Sequence, residues 1–487
     1  MTPKKPNDIA AAANKLLSFK SLRPRQREAI QALLLGHDTL LVQPPGPDRL
    51  AVHQIAGALL QGTTLIVSPL AALENDDANA IEAARQDATA DENATLMPSE
   101  HGKDWKEVEG CKAESIVMAP EQLRDSETVE KLRSANVSLL AVDEAHCISH
   151  WGQDFRPDFL GLAQAIAALD HPPVLAMTAT ASQEAREEIV SRLGMNKPRV
   201  FVDGFDRSNI SLRVDLFSSK DEKYQALLRR VEFADKPGIV YVATHRNAET
   251  IAADLQRIDV PAVCYHGGLK AREREEIQNR FMNGDVPVIV ATNAFGMGVD
   301  KPDIRFVYHA DVSDSVDAYY QEIGQAGRDG KPAEAVLFYR PQDISAQSFK
   351  TGTAHVDSDA LEAVYNALLE GKEPMARVDL SRATNFSPRK LAGLIHKLEE
   401  TGAVATLEDG QIGATSNRPL SDVIEQAGNR QQFQKELRKR RLQQMQQYAE
   451  WRSCRRERLL RYFGDDYAGP CGNCDRCEER GVLGKVA

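Results

Sequence analysis

Short apolar runs alternate with amphipathic stretches along much of the chain. Five runs between positions 39 and 179 are apolar along almost their whole length, as is typical of parallel strands buried on both faces. They are TLLV (39–42), TLIVS (64–68), SIVMA (115–119), SLLAV (138–142) and VLAMTA (174–179). Five more follow: GIVYVA (238–243), AVCYH (262–266), VPVIVAT (286–292), IRFVYHA (304–310) and AEAVLFY (333–339). The pattern predicts two doubly wound α/β domains in tandem, joined by a linker near Asp206–Ser211.

The strand pattern stops after about Asp343, and helical periodicity replaces it. Residues 357–371 are predicted to be helical, and a second helix is well marked in NFSPRKLAGLIHKLEETGAV. Ser387 suits its N-cap, Pro388 its first position and Gly402 its C-terminal cap. One apolar stripe consists of Leu391, Leu394, Ile395 and Leu398. The segment VATLEDGQIGA then predicts a hairpin, and helices followed by a small hairpin indicate a winged-helix-like module.

The length of 487 residues accommodates three or four domains. We predict an α/β protein with two tandem doubly wound domains at 1–205 and 206–350. A winged-helix-like domain would cover 351–420, and basic helices with a zinc-binding module would cover 421–487.

The charge is unevenly distributed along an acidic chain with a net charge of −11. Residues 71–110 carry eleven acids and three bases, whereas residues 430–461 carry eleven bases and three acids. A basic stripe can attract DNA even in an acidic protein, and a solvated helix face explains such a run equally well. The candidate DNA contacts in this stripe are Arg438, Lys439, Arg440 and Arg441. No run approaches the roughly 20 apolar residues of a membrane span, and no secretory leader is evident, so we expect a cytoplasmic protein.

Four of the seven cysteines form the pattern C-x16-C-x2-C-x2-C, namely Cys454, Cys471, Cys474 and Cys477. Four thiolates at this spacing suit a tetrahedral zinc ion, and four protein ligands leave no open position. The expected Zn²⁺ is therefore structural. The remaining cysteines are scattered and are interpreted as buried or idle thiols.

The segment LLAVDEAHCISHWGQDFRPDF carries the strongest enzymatic signal. Its apolar strand would deliver Asp143 and Glu144 to the carboxyl end of a parallel sheet, where ligands bind. One carboxylate can hold Mg²⁺ through water while its neighbour activates the attacking water, and His146 completes the motif as a catalytic candidate. Trp151, Phe155 and Phe159 follow in a polar loop, where their rings could stack on bases or pack beneath the loop.

These motifs resemble those of RecQ-type DNA helicases of superfamily 2, over residues 19 to 343 and again at 451–480. The segment FKSLRPRQREAI resembles the family's adenine-reading segment, which assigns Phe19, Arg23 and Gln26 to the nucleotide base. WGQDFRPDF resembles the aromatic-rich loop that couples DNA to ATP hydrolysis, which makes Trp151, Phe155 and Arg156 candidate DNA contacts.

ATNAFGMGVDKPDIRFVYH and YYQEIGQAGRDG resemble motifs of the family's second motor domain. The second of these segments contains Gln321 and Arg328, which are catalytic candidates. Arg328 suits an arginine finger that reaches ATP, and a surface arginine in a turn is the alternative. The resemblance implies that the two α/β domains are RecA-like motor domains and that ATP and Mg²⁺ are the cofactors.

The phosphate-binding loop departs from the family pattern. The loop PPGPDRL keeps Gly46 but ends in Arg49-Leu50 where the family has Lys followed by Ser or Thr. Pro47 lacks an N–H for phosphate, and Asp48 adds negative charge beside a polyanion. Arg49 does not replace a compact ammonium, and Leu50 offers no oxygen to Mg²⁺. Gln325 likewise stands where the family has the first of two arginines, so the cradle is degenerate within a recognisable motor.

Two functions from different classes fit these observations. The first is an ATP-dependent 3′-to-5′ DNA helicase of repair or recombination, with weakened ATP use. It would act as a monomer on single-stranded DNA and duplex junctions in the nucleoid. The alternative is an inactive pseudo-helicase that binds DNA structures or a protein partner. An RNA helicase is less favoured because the aromatic-rich loop and the cysteines resemble the DNA family. The winged-helix-like stretch precedes the cysteines here, whereas many relatives have the reverse order.

Overall fold

The computed structural model describes residues 9–13, 22–43, 51–60, 62–69, 95–96, 115–149, 157–296, 299, 301–344, 357–371, 373–407, 410–415 and 418–482. The chain divides into two compact units, one of residues 1–341 with 444–487 and the other of residues 342–443. No helix among the described residues combines the length and the apolar character needed to cross a membrane.

The first α/β domain is built on a seven-stranded sheet with the strand order β3-β4-β2-β5-β6-β1-β7. All of its pairings are parallel. The strands are β1 Thr39–Val42, β2 Thr63–Val67, β3 Thr95–Leu96, β4 Ser115–Met118, β5 Val137–Val142, β6 Val174–Thr178 and β7 Arg199–Val202. The α-helices are α1 Pro24–Leu34, α2 Ala51–Leu59, α3 Ser126–Ser134, α4 Leu162–Ala168 and α5 Gln183–Arg192.

A six-stranded parallel sheet with the order β10-β11-β9-β12-β13-β8 forms the second α/β domain. Its strands are β8 Ile210–Leu216, β9 Gly238–Tyr241, β10 Ala262–Tyr265, β11 Val288–Ala291, β12 Phe306–His309 and β13 Ala333–Tyr339. Its helices are α6 Lys220–Phe233, α7 His245–Arg257, α8 Ala271–Met282 and α9 Val316–Ile323. The central strands are buried at every position, which confirms the predicted fold class.

The predicted linker is too long by two residues, because β8 begins at Ile210. The strand alternates buried Ile210, Leu212 and Val214 with more exposed residues, as an edge strand does. This period of two differs from the continuous apolar runs of the other strands, and for that reason the sequence analysis did not predict β8. The short strand β7 was also not predicted.

The second unit contains helices followed by a hairpin, as the sequence predicts. Its helices are α10 Ser358–Glu370, α11 Arg377–Thr384 and α12 Pro388–Glu400, and its strands are β14 Val404–Thr406 and β15 Ile412–Ala414. The hydroxyl of Ser387 accepts a hydrogen bond from the N–H of Lys390 at 3.3 Å and caps α12. Gly402 ends the helix with φ +68°, a left-handed conformation that favours glycine. The predicted apolar stripe of α12 is buried in one core with residues of α10, β14 and β15.

The C-terminal helices are α13 Leu420–Ala449, α14 Arg455–Tyr462 and α15 Asp475–Glu479. Residues near α15 cover the edge strand β8. The N–H of Leu212 donates to the carbonyl of Asn473 at 3.3 Å, and the N–H of Val214 donates to Asp475 at 3.4 Å. A sheet edge that would otherwise expose unpaired backbone groups is thereby covered.

Candidate functional site

The carboxyl ends of β5, β6 and β1 lie side by side and carry the residues of the candidate active site. Asp143 and Glu144 follow β5 directly, and the N–H of Asp143 donates to the carbonyl of Val67 at 2.8 Å. At the end of β1, the N–H of Gln43 donates to the carbonyl of Thr178 at 3.1 Å. The D-E-A-H segment (143–146) and the T-A-T segment (178–180) therefore meet at one edge of the sheet.

His146 joins these two segments. Its Nδ1 lies 3.0 Å from Thr178 Oγ1 and 3.2 Å from Glu144 Oε2, and its side chain is buried. Burial alone would lower the pKa of His146, but the contacts with Cys147 and Glu144 outweigh it and raise that pKa well above its ordinary value. Glu144 has φ +47°, a left-handed conformation that costs a non-glycine residue on the order of 1 kcal/mol. The backbone is thus held in a left-handed conformation at Glu144, the proposed general base.

Two of the predicted base-binding residues, Arg23 and Gln26, lie at the start of α1, near the end of β1. The Oε1 of Gln26 accepts from the N–H of Arg23 at 3.0 Å, and its Nε2 donates to Gln43 Oε1 at 3.1 Å. Arg23 forms an ion pair with Asp203 at 3.0 Å. These contacts connect the start of α1 to the end of β1 and to the segment after β7. Adenine recognition by Arg23 and Gln26 stays a prediction.

Several predicted site residues lie outside the described residues. They are Phe19, Gly46, Pro47, Asp48, Arg49, Leu50, Trp151, Phe155 and Arg156. Phe159 is described, and its ring is fully buried. This burial supports packing as the interpretation of Phe159 and argues against base stacking.

Arg328 lies in a turn that follows α9, the helix that carries Gln321. The Nη2 of Arg328 donates to Gln325 Oε1 at 2.7 Å, and the Nε2 of Gln325 donates to the carbonyl of Gly296 at 3.0 Å. Gly327 adopts φ +54°, and a Cβ there would approach Asn209 Nδ2 to 2.5 Å. The segment Gly324–Arg328 is called the finger loop.

The four predicted zinc ligands converge. The sulfur atoms of Cys454, Cys471, Cys474 and Cys477 all lie within 4.8 Å of one another, and those of Cys471 and Cys477 are 3.9 Å apart. Zinc–sulfur bonds in a tetrahedral site place sulfur atoms about 3.8 Å apart, so the cluster fits Zn²⁺. The N–H of Asn473 also donates to Cys471 Sγ at 3.3 Å, a contact that stabilises a metal-bound thiolate.

The thiol pKa values reflect this crowding. Hydrogen bonds from Cys454 and Cys471 hold the pKa of Cys474 well below its ordinary value. The pKa of Cys471 is raised by hydrogen bonds with Cys454 and Cys474. The low pKa of Cys474 favours a thiolate, which is the form that binds Zn²⁺.

Two arginines of the basic stripe have structural roles. Arg455 is fully buried, with Nε and Nη2 each 3.1 Å from a carboxylate oxygen of Asp475. Its Nη1 donates to the carbonyls of Tyr448 and Ala449. Arg456 is also buried. Arg455 and Arg456 therefore fit neither interpretation of the stripe, a DNA-binding surface or a solvated helix face, whereas Arg438, Lys439 and Arg440 are exposed and Arg441 is partly exposed.

Sequence reasoning missed several residues that support the site. Thr178 lies in the predicted strand VLAMTA, but its contact with His146 was not foreseen, and Asp203 carried no local signal because its partner is 180 positions away. Arg207 and Asn209, in the linker, were also missed. Only the folded chain brings these residues to their partners.

Three family models match the chain. A DEAD/DEAH box helicase model matches residues 23–189, a Helicase conserved C-terminal domain model matches residues 220–330, and a RecQ zinc-binding model matches residues 418–478. The matched ranges contain the carboxylate pair, the finger loop and the cysteine cluster, respectively.

Two solved structures have a similar fold. The helicase Lhr of Mycobacterium smegmatis, bound to ssDNA and AMP-PNP, gives a TM-score of 0.51 at 19% identity, covering 86% of this chain and 62% of that one. The DUF1998 helicase MrfA, bound to DNA, gives a TM-score of 0.55 at 16% identity, covering 85% of this chain and 63% of that one. At such identity, the likeness shows the fold alone.

Curated relatives are similar over nearly all of this chain. The probable ATP-dependent DNA helicase RecS of Bacillus subtilis is 33% identical, with 96% of this chain and 93% of the relative covered. The ATP-dependent DNA helicase RecQ of Pasteurella multocida is 31% identical over 95% of this chain, which spans only 61% of that relative. From the motifs, the fold, the cysteine cluster and these similarities together, we conclude that the chain belongs to the RecQ family of ATP-dependent DNA helicases.

Proposed function

We propose that this chain separates duplex DNA in the 3′-to-5′ direction with the energy of ATP, in repair or recombination, and that its ATP turnover is weakened. The observation that carries the proposal is the joined arrangement of Glu144, His146 and Thr178 at the carboxyl ends of β5 and β6. A chain that had lost all ATP chemistry would have no catalytic need for this arrangement, so the pseudo-helicase is not favoured.

In the proposed reaction, each residue has a defined role. Asp143 would hold Mg²⁺ through water, and the ion would neutralise charge on the phosphates. Glu144 would accept the proton of the attacking water, and His146 would connect that event to Thr178. Arg328 would neutralise charge that develops on the transferred phosphoryl group. Gln321, from the same motif, is a further catalytic candidate.

The weakened turnover follows from the loop sequence. Pro47 and Asp48 replace the glycines before the family's lysine, so one N–H is lost and one negative charge is added. Leu50 removes the hydroxyl that would bind Mg²⁺. The expected consequence is weak binding of ATP with Mg²⁺ and slow hydrolysis, without loss of the carboxylate pair.

The proposed substrates are single-stranded DNA and duplex junctions, bound by a monomer in the nucleoid. Support comes from the exposed basic residues of α13 and from the capped helix α12, which the hairpin β14–β15 follows as in a winged helix. The division of the chain into domains at residues 205, 350 and 420 likewise stays a proposal.

Strand separation tests the proposed function. Purified full-length chain would be mixed with a short duplex that carries either a 3′ or a 5′ single-stranded tail, with ATP and Mg²⁺. We expect separation of the 3′-tailed duplex only, and none with Glu144→Gln. DNA binding without ATP-dependent separation of either duplex would overturn the proposal in favour of the pseudo-helicase.

A further inference from the structure

The linker between the two α/β domains holds the finger loop by its carbonyl groups. Arg207 Nη1 donates to the carbonyl of Gly324 at 3.1 Å, and Nη2 donates to those of Ala326 and Gly327 at 2.8 and 3.0 Å. Asn209 Nδ2 donates to the same Gly327 carbonyl at 2.8 Å. One guanidinium therefore engages three of the four residues that precede Arg328, through bonds of the stronger, charge-assisted kind.

The same linker is fixed on its other side by α14 of the zinc module. Arg456 Nη1 donates to Asp206 Oδ1 at 2.5 Å, and Nη2 donates to the carbonyl of Ile210 at 2.6 Å. These two residues flank the segment that contains Arg207. Arg456 of the zinc module therefore binds the side chain of Asp206 at the start of the linker and the backbone carbonyl of Ile210 directly after it.

Phe463, the residue after α14, connects the linker to both α/β domains. Its ring stacks on Phe205 with centroids 4.5 Å apart and contacts the ring of Tyr320 at 4.8 Å. Arg186 of the first domain donates to the carbonyl of Phe463. Tyr320, next to Gln321, donates its hydroxyl to the carbonyl of Phe205 at 2.6 Å. All three rings are buried, so the junction is packed as a core is.

We propose that Arg207 is the positioning residue for Arg328, and that α14 of the zinc module sets the position of Arg207 through the linker. The proposal rests on the proposed function for the role of Arg328 in ATP hydrolysis. A finger must reach the phosphoryl group accurately, since a misplacement of about 1 Å can cost about 10²-fold in rate. The linker fixes the finger loop through the backbone carbonyls of Gly324, Ala326 and Gly327.

Two variants of the full-length chain test this inference, each compared with a control. Arg207→Ala removes the hydrogen bonds to the loop, and Arg456→Ala removes the hydrogen bonds between α14 and the linker. Arg213→Ala is the control, because Arg213 pairs with Glu478 of the zinc module through a partly exposed contact and does not contact the finger loop. Zinc content and melting temperature would be measured for every variant.

Hydrogen exchange reports the position of the loop without ATP. We expect the amides of Gln325, Ala326 and Gly327 to exchange at least about fivefold faster in Arg207→Ala and Arg456→Ala, with zinc content unchanged, and at the wild-type rate in Arg213→Ala. Unchanged exchange in Arg207→Ala would overturn the inference. Faster exchange in Arg207→Ala but not in Arg456→Ala would overturn the part that concerns the zinc module.

A double-mutant cycle then separates positioning from a general structural effect. Arg207→Ala should lower kcat about tenfold while KM for ATP changes by less than about twofold, and it should lower kcat by less than about twofold in an Arg328→Ala background. An equal loss in both backgrounds would overturn the positioning role. If the wild-type chain has no ATPase activity but the exchange result holds, the proposed function fails while the linkage of linker and loop stands.

Discussion

Gln325 Oε1 accepts a hydrogen bond of 2.7 Å from Arg328 Nη2, and Gln325 is almost fully buried. Its amide nitrogen donates to the carbonyl of Gly296, so the side chain is fixed at both ends. The residue that departs from the family pattern thus contacts the proposed arginine finger directly. An arginine at position 325 could not accept this bond, because a guanidinium has no acceptor.

Replacing Gln325 by Leu should impair the finger without unfolding the chain. Leu preserves most of the volume but removes both hydrogen bonds, so we expect DNA-stimulated kcat to fall about fivefold or more, with KM for ATP nearly unchanged. Steady-state ATPase kinetics would measure this. Gln256→Leu is a matched control, since Gln256 Nε2 donates to the carbonyl of Ala262 in the same domain, away from the finger loop. An equal loss of kcat in both variants would contradict a specific role for Gln325.

The contribution of His146 to stability should depend on pH. Its pKa in the folded chain is raised well above the ordinary value of about 6.5, because the contacts with Cys147 and Glu144 outweigh burial. The stabilisation is therefore complete below about pH 6.5 and is lost as pH rises through the raised folded value. We expect His146→Gln to lower the free energy of unfolding more at pH 6 than at pH 9, measured by urea denaturation. His37→Gln serves as control, and a cost of His146→Gln that grows with pH would refute the prediction.

Loss of one zinc ligand should release the metal and loosen the C-terminal module. We expect the wild-type chain to hold one zinc ion, and Cys474→Ser to lower zinc content, solubility and DNA affinity together. Loss of the ligand should also destabilise the structure around the metal site, because Asp475, next to Cys474, pairs with the buried Arg455. Elemental analysis and thermal melting would measure it, with Cys264→Ser on β10 as the matched control. A metal-free wild-type chain, or a Cys474→Ser variant with unchanged melting, would remove the zinc assignment.

The basic residues of α13 should supply much of the DNA affinity that does not depend on ATP. The variant replaces by Ala the four residues Arg438, Lys439, Arg440 and Arg441. We expect weaker binding to every DNA sequence and a shallower salt dependence, by about 0.9 in the log–log slope for each DNA phosphate that the variant no longer neutralises. Fluorescence anisotropy from about 50 to 200 mM salt would measure both. Gln432→Ala with Gln443→Ala, exposed on the same helix, is the control. An unchanged affinity and slope would identify the run as a solvated helix face.

The strands and the zinc ligands could be predicted because their signals are local. The buried strands show continuous apolar runs, and three of the four cysteines lie within seven residues of one another. The cap of α12 was equally visible, since Ser387 and Pro388 lie directly before the apolar stripe. By contrast, β8 has an alternating pattern because one face of this edge strand is more buried than the other.

The supporting contacts of the site could not be predicted, because they join residues that are distant in sequence. Arg207 meets the finger loop from 117 to 120 positions away, and Arg456 meets Asp206 from 250 positions away. The charge pattern gave no way to separate the buried Arg455 from the exposed Arg438. Burial of an arginine depends on whether a carboxylate and carbonyl groups converge on it, and tertiary structure decides that.

The measurement that tests the account most directly is the rate of DNA-stimulated ATP hydrolysis by three forms of the chain: wild type, Glu144→Gln, and a restored loop. The restored loop combines Pro47→Gly, Asp48→Gly, Arg49→Lys and Leu50→Ser. The wild type should hydrolyse ATP measurably faster than Glu144→Gln and at least about tenfold more slowly than the restored loop, a difference of about 1.4 kcal/mol in the barrier. A wild-type rate equal to that of the restored loop would contradict the weakened cradle. A wild-type rate equal to that of Glu144→Gln would contradict a working motor.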